Sequence, residues 1–189
     1  MAGPLRHEFE AHPGRTLDVW LFRDVAHEAA GALGEAARTG ALRPELALCR
    51  AGLVPDALCA LAAAHRALSA QERGKLVTKS LHSELIVNLA ASRHIGESLR
   101  RLGMPMEDCG ASGVTLDVLV ARFDASDADR AAVEKLMEER GAQPCDVAQL
   151  SERAQVDDIK RIFKITPEEL ETGSLADAVT TRIGVRDVM

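Results

Sequence analysis

The amino-acid sequence predicts an α/β fold in which a small, mainly antiparallel sheet of about three strands is wrapped by about seven helices. Three short stretches have the apolar pattern of strands, and helical patterns outnumber them. Their order is not a regular strand–helix–strand series, which favours a mixed or antiparallel sheet. A chain of 189 residues is typical of one domain. We assign residues 1–15 to a short N-terminal segment and residues 16–189 to a single domain.

The first third of the chain predicts two strands and two helices. Residues 16–22 alternate apolar and other side chains as a strand does. Asp24 is placed to cap the alanine-rich helix that follows, and Gly40 is placed to end that helix. Residues 46–49 predict a short second strand. Apolar residues at helical spacing over 55–68, with a proline in the first turn, predict a buried helix.

Two short helices joined by a polar loop are predicted next. Leucines repeat every four residues within a helix over about 80–90 and form its core stripe. Ser92 is placed to cap the following helix, which carries an apolar stripe from Ile95 onward. Gly103 suits the end of this helix, and Pro105 prevents it from continuing.

The remaining chain predicts one strand and four helical segments. Residues 114–120 have the most regular strand pattern of the sequence, and Ser126 begins an exposed helix after them. Residues 142–154 predict a loop with little pattern, and a helix follows over about 156–163. Capping signals then predict a short helical turn at residues 166–169 and a last helix from Ser174.

Composition and motifs exclude several function classes. With four phenylalanines, one tryptophan and no tyrosine, the chain is a poor platform for long single-stranded nucleic acids, and a pI near 5.5 opposes non-specific binding. Residues 1–13 lack the apolar region of a signal peptide, and no stretch has the length of a membrane span. We therefore expect an intracellular protein that is not bound to a membrane.

No known catalytic or cofactor signature occurs in the sequence. Glycine-rich nucleotide loops, nucleophile elbows and zinc-protease motifs are absent, so we expect a protein that is not an enzyme and has no cofactor. The cysteines lack the spacing of zinc ligands, so no metal site is expected. His65 falls on the apolar stripe of its predicted helix and is interpreted as a core histidine. His82 and His94 are interpreted as surface histidines, although either is placed to titrate near a bound anion.

The segment from Arg66 to Arg101, called the basic segment below, carries the most informative charge pattern. It contains seven lysines and arginines and three acidic residues, a local charge of +4, whereas the whole chain carries −6. Lys75 and Lys79 lie at the start of the helix that begins near Ser80, where free backbone N–H groups attract anions. With the Ser80 and Ser83 hydroxyls, they form a candidate site for one or two phosphates. The alternative is helix capping beside a solvated helix face.

Several segments in one order resemble a known family. Residues 78–89 (TKSLHSELIVNL) and residues 95–103 (IGESLRRLG) resemble the characteristic pattern of the TPRKB family, the PRPK-binding subunits of the EKC/KEOPS complex. Residues 19–25 are similar to the first strand of that family, residues 159–165 to its penultimate helix, and residues 174–189 to its C-terminal part. The resemblance covers nearly the whole chain, from about Thr16 to Met189.

The resemblance implies a non-enzymatic adapter with a small antiparallel sheet wrapped by helices. Members of this family bind the N-lobe of a PRPK-type atypical protein kinase. Through the kinase they join the other EKC/KEOPS subunits, which install threonylcarbamoyl-adenosine beside the anticodon of tRNA. Members also help to recruit the tRNA, and archaeal relatives hold its 3′ CCA end. A location in the cytoplasm and nucleus is expected on the same basis.

The resemblance also implies two sets of site residues. The RNA-facing residues are Lys75, Thr78, Lys79, Ser80, Ser83, Glu84 and Asn88. The kinase-facing residues are Ile159, Ile162, Phe163, Leu175, Ala178 and Val179. A carboxylate such as that of Glu84 can accept a hydrogen bond from a cytosine amino group, but it can equally stabilise the start of its own helix. Each apolar kinase-facing residue is open to interpretation as core, and the alternative function is a stand-alone RNA- or anion-binding domain that acts without the kinase.

Overall fold

A five-stranded antiparallel sheet forms the centre of the protein in the computed structural model, which describes residues 3–105 and 113–186. The strands are β1 (Leu5–Glu8), β2 (Thr16–Ala26), β3 (Ala47–Arg50), β4 (Thr115–Phe123) and β5 (Gln143–Cys145). The strand order is β1-β2-β4-β3, and β5 also pairs with β2. Strand β4 pairs with one edge of β2. On the other edge of β2, β1 pairs with residues 16–19 and β5 pairs with residues 21–23.

Eight α-helices surround the sheet in the described part of the chain. They are α1 (His27–Thr39), α2 (Ala57–Glu72), α3 (Leu81–Leu89), α4 (Ile95–Leu102), α5 (Asp127–Glu138), α6 (Val156–Phe163), α7 (Pro167–Thr172) and α8 (Leu175–Val185). The described ranges also contain single-turn 3₁₀ helices at Ala51–Leu53, Val147–Gln149 and Ser151–Arg153. None of the helices in the described ranges is long and apolar enough to cross a membrane.

The two faces of the sheet bury two separate hydrophobic cores. Along β2, Leu17, Val19 and Leu21 point into the larger core, which α2, α3, α6 and α8 complete. Trp20 and Phe22 point the other way, into a second core closed by α1 and α5. Because both faces are covered, the central strands are apolar on both sides, and the helices form one layer on each face of the sheet.

The predicted fold class is confirmed, but the sheet has two more strands than predicted. Both missed strands, β1 and β5, are short and lie at one edge of β2, where they are largely exposed. Their sequences, LRHE and QPC, have no regular alternation of apolar residues. β1 belongs to the segment set aside at residues 1–15, and β5 belongs to the region predicted as a loop at 142–154. Their pairing with β2 therefore depends on tertiary contacts.

Three predicted helix starts were wrong. Asp24 does not cap α1, because it lies in an irregularity of the β2–β4 pairing with a φ of 58°, and the cap position is Ala26. Pro55 precedes the α2 cap, which is Asp56, whose side chain accepts from Leu58 N–H at 2.7 Å. Ser92 accepts from the backbone N–H of His94 at 3.2 Å, and His94 is the cap position of α4.

Candidate functional site

The basic segment spans the last part of α2, the connection to α3, α3 itself and α4. A cavity of about 280 Å³ opens beside this connection and beside the end of α8. Its polar lining residues are Arg66, Arg73, Lys75, Glu84, Asn88 and Arg186. We call it the cationic cavity, because four of these side chains are positive and one is negative. Such a lining attracts phosphate groups.

The connection between α2 and α3 is folded around the carboxylate of Glu84. Only 2% of Glu84 is exposed. Its Oε2 atom accepts from the backbone N–H of Val77 at 3.1 Å, from the backbone N–H of Thr78 at 2.9 Å and from the Thr78 hydroxyl at 2.8 Å. A buried carboxylate is tolerated where such donors compensate its lost hydration.

Ser80 begins α3, as predicted. Its hydroxyl oxygen accepts from the backbone N–H of Ser83 at 3.2 Å and is 3.2 Å from the Ser83 hydroxyl, while the Thr78 hydroxyl also lies 2.9 Å from the Ser80 carbonyl oxygen. These groups are therefore already engaged in local contacts. Lys75 and Lys79 are exposed, whereas Asn88 is buried. The structure thus places the two lysines at the surface and Glu84 and Asn88 at the cavity floor.

The end of α8 completes the cationic cavity. Arg186, 8% exposed, donates to the side-chain oxygen of Asn88, and Asn88 donates to the carbonyl oxygen of Ala63 at 3.4 Å. Arg66 donates to the carbonyl oxygen of Gly184 at 2.7 Å. Sequence reasoning missed both arginines as site residues. Arg66 had been counted in the basic segment, but Arg186 comes 98 residues after its partner Asn88, so no local pattern could associate them.

The residues predicted to face the kinase divide into buried and half-buried groups on α6 and α8. Ile159, Phe163 and Val179 belong to the larger core and are at most 6% exposed. The half-buried members, which pack against that core and keep some accessible surface, are Ile162, Leu175 and Ala178.

A second cavity, of about 320 Å³, lies where α6 leads into α7. Ile165, Pro167 and Leu170 give it apolar walls, and Lys160 and Glu171 add a charge of each sign. Sequence reasoning had not singled out this cavity. In the sequence, only the apolar residues around the Thr166 cap could have indicated this cavity.

His65 is not a core histidine. Its side chain is exposed, and its Nδ1 atom lies 3.0 Å from Nε2 of the buried His12, whose Nδ1 atom is 2.7 Å from the Glu72 carboxylate. Partial burial, and then the neighbouring His12, lower the pKa of His65 below its usual value. The predicted stripe of α2, which included Leu58 and His65, was wrong: both residues are exposed. The helix instead buries a neighbouring face made of Cys59, Ala60, Ala63, Ala64, Ala67 and Leu68.

His82 is not a surface histidine either. It is 5% exposed, and its Nε2 atom accepts from the backbone N–H of Phe123 at 3.2 Å. Burial disfavours the charged imidazolium and lowers the pKa of His82 to about 4, against the opposing influence of Glu45, whose carboxylate lies 3.7 Å from Nδ1. His94, in contrast, is exposed at the start of α4.

The cysteines of the described ranges are buried. Burial raises the pKa of the Cys49 thiol to about 12 and that of Cys59 to about 11, so both remain protonated and unreactive at neutral pH. Cys145 is also buried, and Cys109 lies outside the described residues. Within those residues, no cluster of three or more His, Cys, Asp or Glu side chains is arranged to hold a metal ion.

Comparison with known proteins gives the same family as the sequence motifs. The profile of the family described as "Kinase binding protein CGI-121" matches residues 22–187. The chain is 31% identical over 184 residues to "EKC/KEOPS complex subunit TPRKB" of Danio rerio, covering 97% of this chain and 98% of that protein. It is 26% identical over 124 residues to "EKC/KEOPS complex subunit CGI121" of Yarrowia lipolytica, covering 66% of this chain and 65% of the relative.

The family profile spans both the cationic cavity and the α6–α8 region, and the Danio rerio relative aligns along nearly the full length of both chains. The agreement of the motifs, the antiparallel α/β fold and the extent of the matches leads to one assignment: the chain belongs to the CGI-121 family of kinase-binding proteins, the family that includes TPRKB.

Proposed function

We propose that this protein is a non-catalytic subunit of an EKC/KEOPS-type complex that binds a PRPK-type protein kinase and helps to recruit tRNA. The observation that carries the proposal is the match of residues 22–187 to a family of kinase-binding proteins. Both relatives carry the name of an EKC/KEOPS subunit. The cationic cavity and the absence of known catalytic motifs from the sequence support a role in binding.

The kinase would dock on the surface of α6 and α8. Ile162, Leu175 and Ala178 are half-buried, so they combine an anchored position with accessible apolar surface. Ile159, Phe163 and Val179 would support this surface from below without contacting the kinase, because their side chains are in the core. The kinase would link the chain to the remaining subunits.

The tRNA would dock on the cationic cavity and on the surface around the start of α3. Lys75 and Lys79 are exposed, so they can reach the phosphates of a single-stranded end such as the 3′ CCA. The cavity of about 280 Å³, which Lys75 also lines, would receive the neighbouring part of that strand. Thr78, Ser80 and Ser83 are half-buried beside the lysines, and Glu84 and Asn88 lie at the cavity floor.

The kinase interface is tested with Leu175→Glu. A carboxylate placed in an apolar interface loses its hydration without gaining a partner, so we expect the affinity for the kinase to fall at least about tenfold. Isothermal titration calorimetry with the kinase of the same organism measures the change. Val114→Glu is the control, since Val114 is 50% exposed and lies near the start of α1, on the opposite face of the sheet.

The control Val114→Glu should bind the kinase with the affinity of the wild type. Thermal unfolding must show that Leu175→Glu remains folded. Equal affinities of the wild type and a folded Leu175→Glu would contradict an interface at this position of α8.

The RNA surface is tested with the double variant Lys75→Glu, Lys79→Glu. We expect tRNA affinity to fall, together with a reduction of the slope of log affinity against log salt by about one unit for each lost phosphate contact. Filter binding over a salt series measures both quantities. The control is Lys135→Glu, Lys164→Glu, which makes the same charge change outside the basic segment. Loss of equal size in both variants would show that net charge, and not this surface, decides tRNA affinity.

A further inference from the structure

We infer that Glu84 is a positioning residue for RNA binding, one that holds the Lys75–Lys79 loop in its binding conformation without reading the RNA itself. This inference rests on the proposed function, because it assigns a role within the same cationic site. The sequence left two roles open for Glu84, a contact to a cytosine base and stabilisation of the local structure. The inference favours the second role, in which Glu84 anchors the loop that presents the lysines.

The geometry of the loop carries the inference. Residues 73–80 connect α2 to α3, and their middle is fastened to one oxygen atom of Glu84 by three donors. Two of these donors are consecutive backbone N–H groups, of Val77 and Thr78. Fixing them restricts the backbone at the centre of the connection, between the two exposed lysines.

The position of the lysines follows from this anchor. Lys79 comes directly after Thr78, and Lys75 comes three residues before it and lines the cationic cavity. Without the anchor, the connection would sample many conformations, and binding RNA would have to restore one of them at an entropic cost. The Glu84 carboxylate therefore reduces the conformational entropy that the loop loses when it binds RNA.

Electrostatics alone makes the opposite prediction for Glu84. A negative charge in a cavity that attracts phosphates weakens that attraction, so its removal should strengthen RNA binding. Positioning predicts that its removal weakens RNA binding, even though the cavity becomes more positive. The sign of the change thus separates the two roles.

The experiment compares Glu84→Gln with the wild type in tRNA filter binding at several salt concentrations. Glutamine has the same shape and keeps one acceptor oxygen, but it binds the three donors without a charge. We expect affinity to fall by about tenfold, the loss that corresponds to weakened charged hydrogen bonds of roughly 1.4 kcal/mol. Hydrogen exchange should be faster at the Val77 and Thr78 amides specifically.

A second variant tests the anchor without changing charge. Thr78→Val removes the hydroxyl donor to Glu84 and should weaken tRNA binding in the same direction, and Thr78→Ser should recover most of the loss. Glu97→Gln is the charge-matched control, because Glu97 pairs with Arg101 on α4 and is not among the cavity residues. It removes the same charge from the basic segment and should not weaken tRNA binding.

The outcomes separate this inference from the proposed function. If Glu84→Gln and Thr78→Val bind tRNA as tightly as the wild type, or more tightly, the positioning role is overturned while tRNA binding stands. If the folded wild type binds no tRNA, the RNA part of the proposed function is overturned, and the role of Glu84 in it falls as well. Weakened binding in both variants, with faster exchange at Val77 and Thr78, supports the inference.

Discussion

The imidazole of His82 is buried, and we expect it to make the stability of this protein depend on pH. In the neutral ring, Nε2 accepts from the Phe123 N–H, so the ring proton is on Nδ1, which faces Glu45 at 3.7 Å. If Nε2 were protonated, its N–H would point at the Phe123 N–H, so two hydrogen-bond donors would face each other at the end of β4. Arg122 and Asp124, which flank Phe123, also act on this ring, the first lowering and the second raising its pKa.

We expect stability to decrease as the pH falls from about 6.5 to about 4. The pKa of His82 is about 4 in the folded state and 6.5 for the free side chain, so the unfolded state binds the proton first. This stabilisation is complete above pH 6.5 and is lost with a slope of up to about 1.4 kcal/mol per pH unit as the pH falls. Urea unfolding at pH 7, 5.5 and 4 measures it.

His82→Gln is the matched variant for this measurement. Glutamine can present an acceptor to the Phe123 N–H but does not titrate, so the pH dependence between 6.5 and 4 should be smaller than in the wild type. Identical pH profiles for the two proteins would show that His82 is not the group responsible.

Helix α4 depends on a close backbone approach at its end. A Cβ atom added at Gly103 would lie 2.3 Å from the carbonyl oxygen of Leu99, far closer than atoms can approach. The φ of Gly103 is −70°, so any residue could adopt its backbone conformation, and the glycine is required for space. The nearby Arg50 side chain donates to the Gly103 carbonyl oxygen at 3.1 Å, which ties this turn to β3.

Gly103→Ala should therefore destabilise the protein by roughly 1–3 kcal/mol. Gly96→Ala is the control in the same helix, because a Cβ there meets nothing within 4 Å. It should be neutral or stabilising by about 0.5 kcal/mol, since alanine is the better helix former. Denaturant unfolding measures the change in unfolding free energy for both variants. Equal changes would contradict the close approach between residue 103 and the Leu99 carbonyl oxygen.

Elements with local signals could be predicted from the sequence, and elements that depend on distant partners could not. Ser126, Thr166 and Ser174 each form the two reciprocal hydrogen bonds of a capping box, whose signal is contained in four consecutive residues. Strand β5 and the pairing of Asn88 with Arg186 have no such signal, because their partners are far away in the sequence. Local spacing also places Glu84 near Thr78 but does not show that the carboxylate is buried.

At the scale of the whole molecule, one helical layer carries both proposed partner surfaces. Helix α8 presents the half-buried Leu175 and Ala178 near its start, and Arg186 at its end lines the cationic cavity. Helices α1 and α5 cover the opposite face of the sheet. The kinase and the tRNA would therefore both meet the layer of α2, α3, α6 and α8.

The proposed function depends above all on a stable complex between this chain and a PRPK-type kinase. The most direct test is size-exclusion chromatography with light scattering, on the chain mixed with the kinase of the same organism at micromolar concentrations. We expect one peak whose mass is the sum of the 20.3 kDa of this chain and the mass of one kinase. Two separate peaks with the masses of the individual proteins would contradict this proposal, and the alternative of a stand-alone RNA- or anion-binding domain would then be tested next.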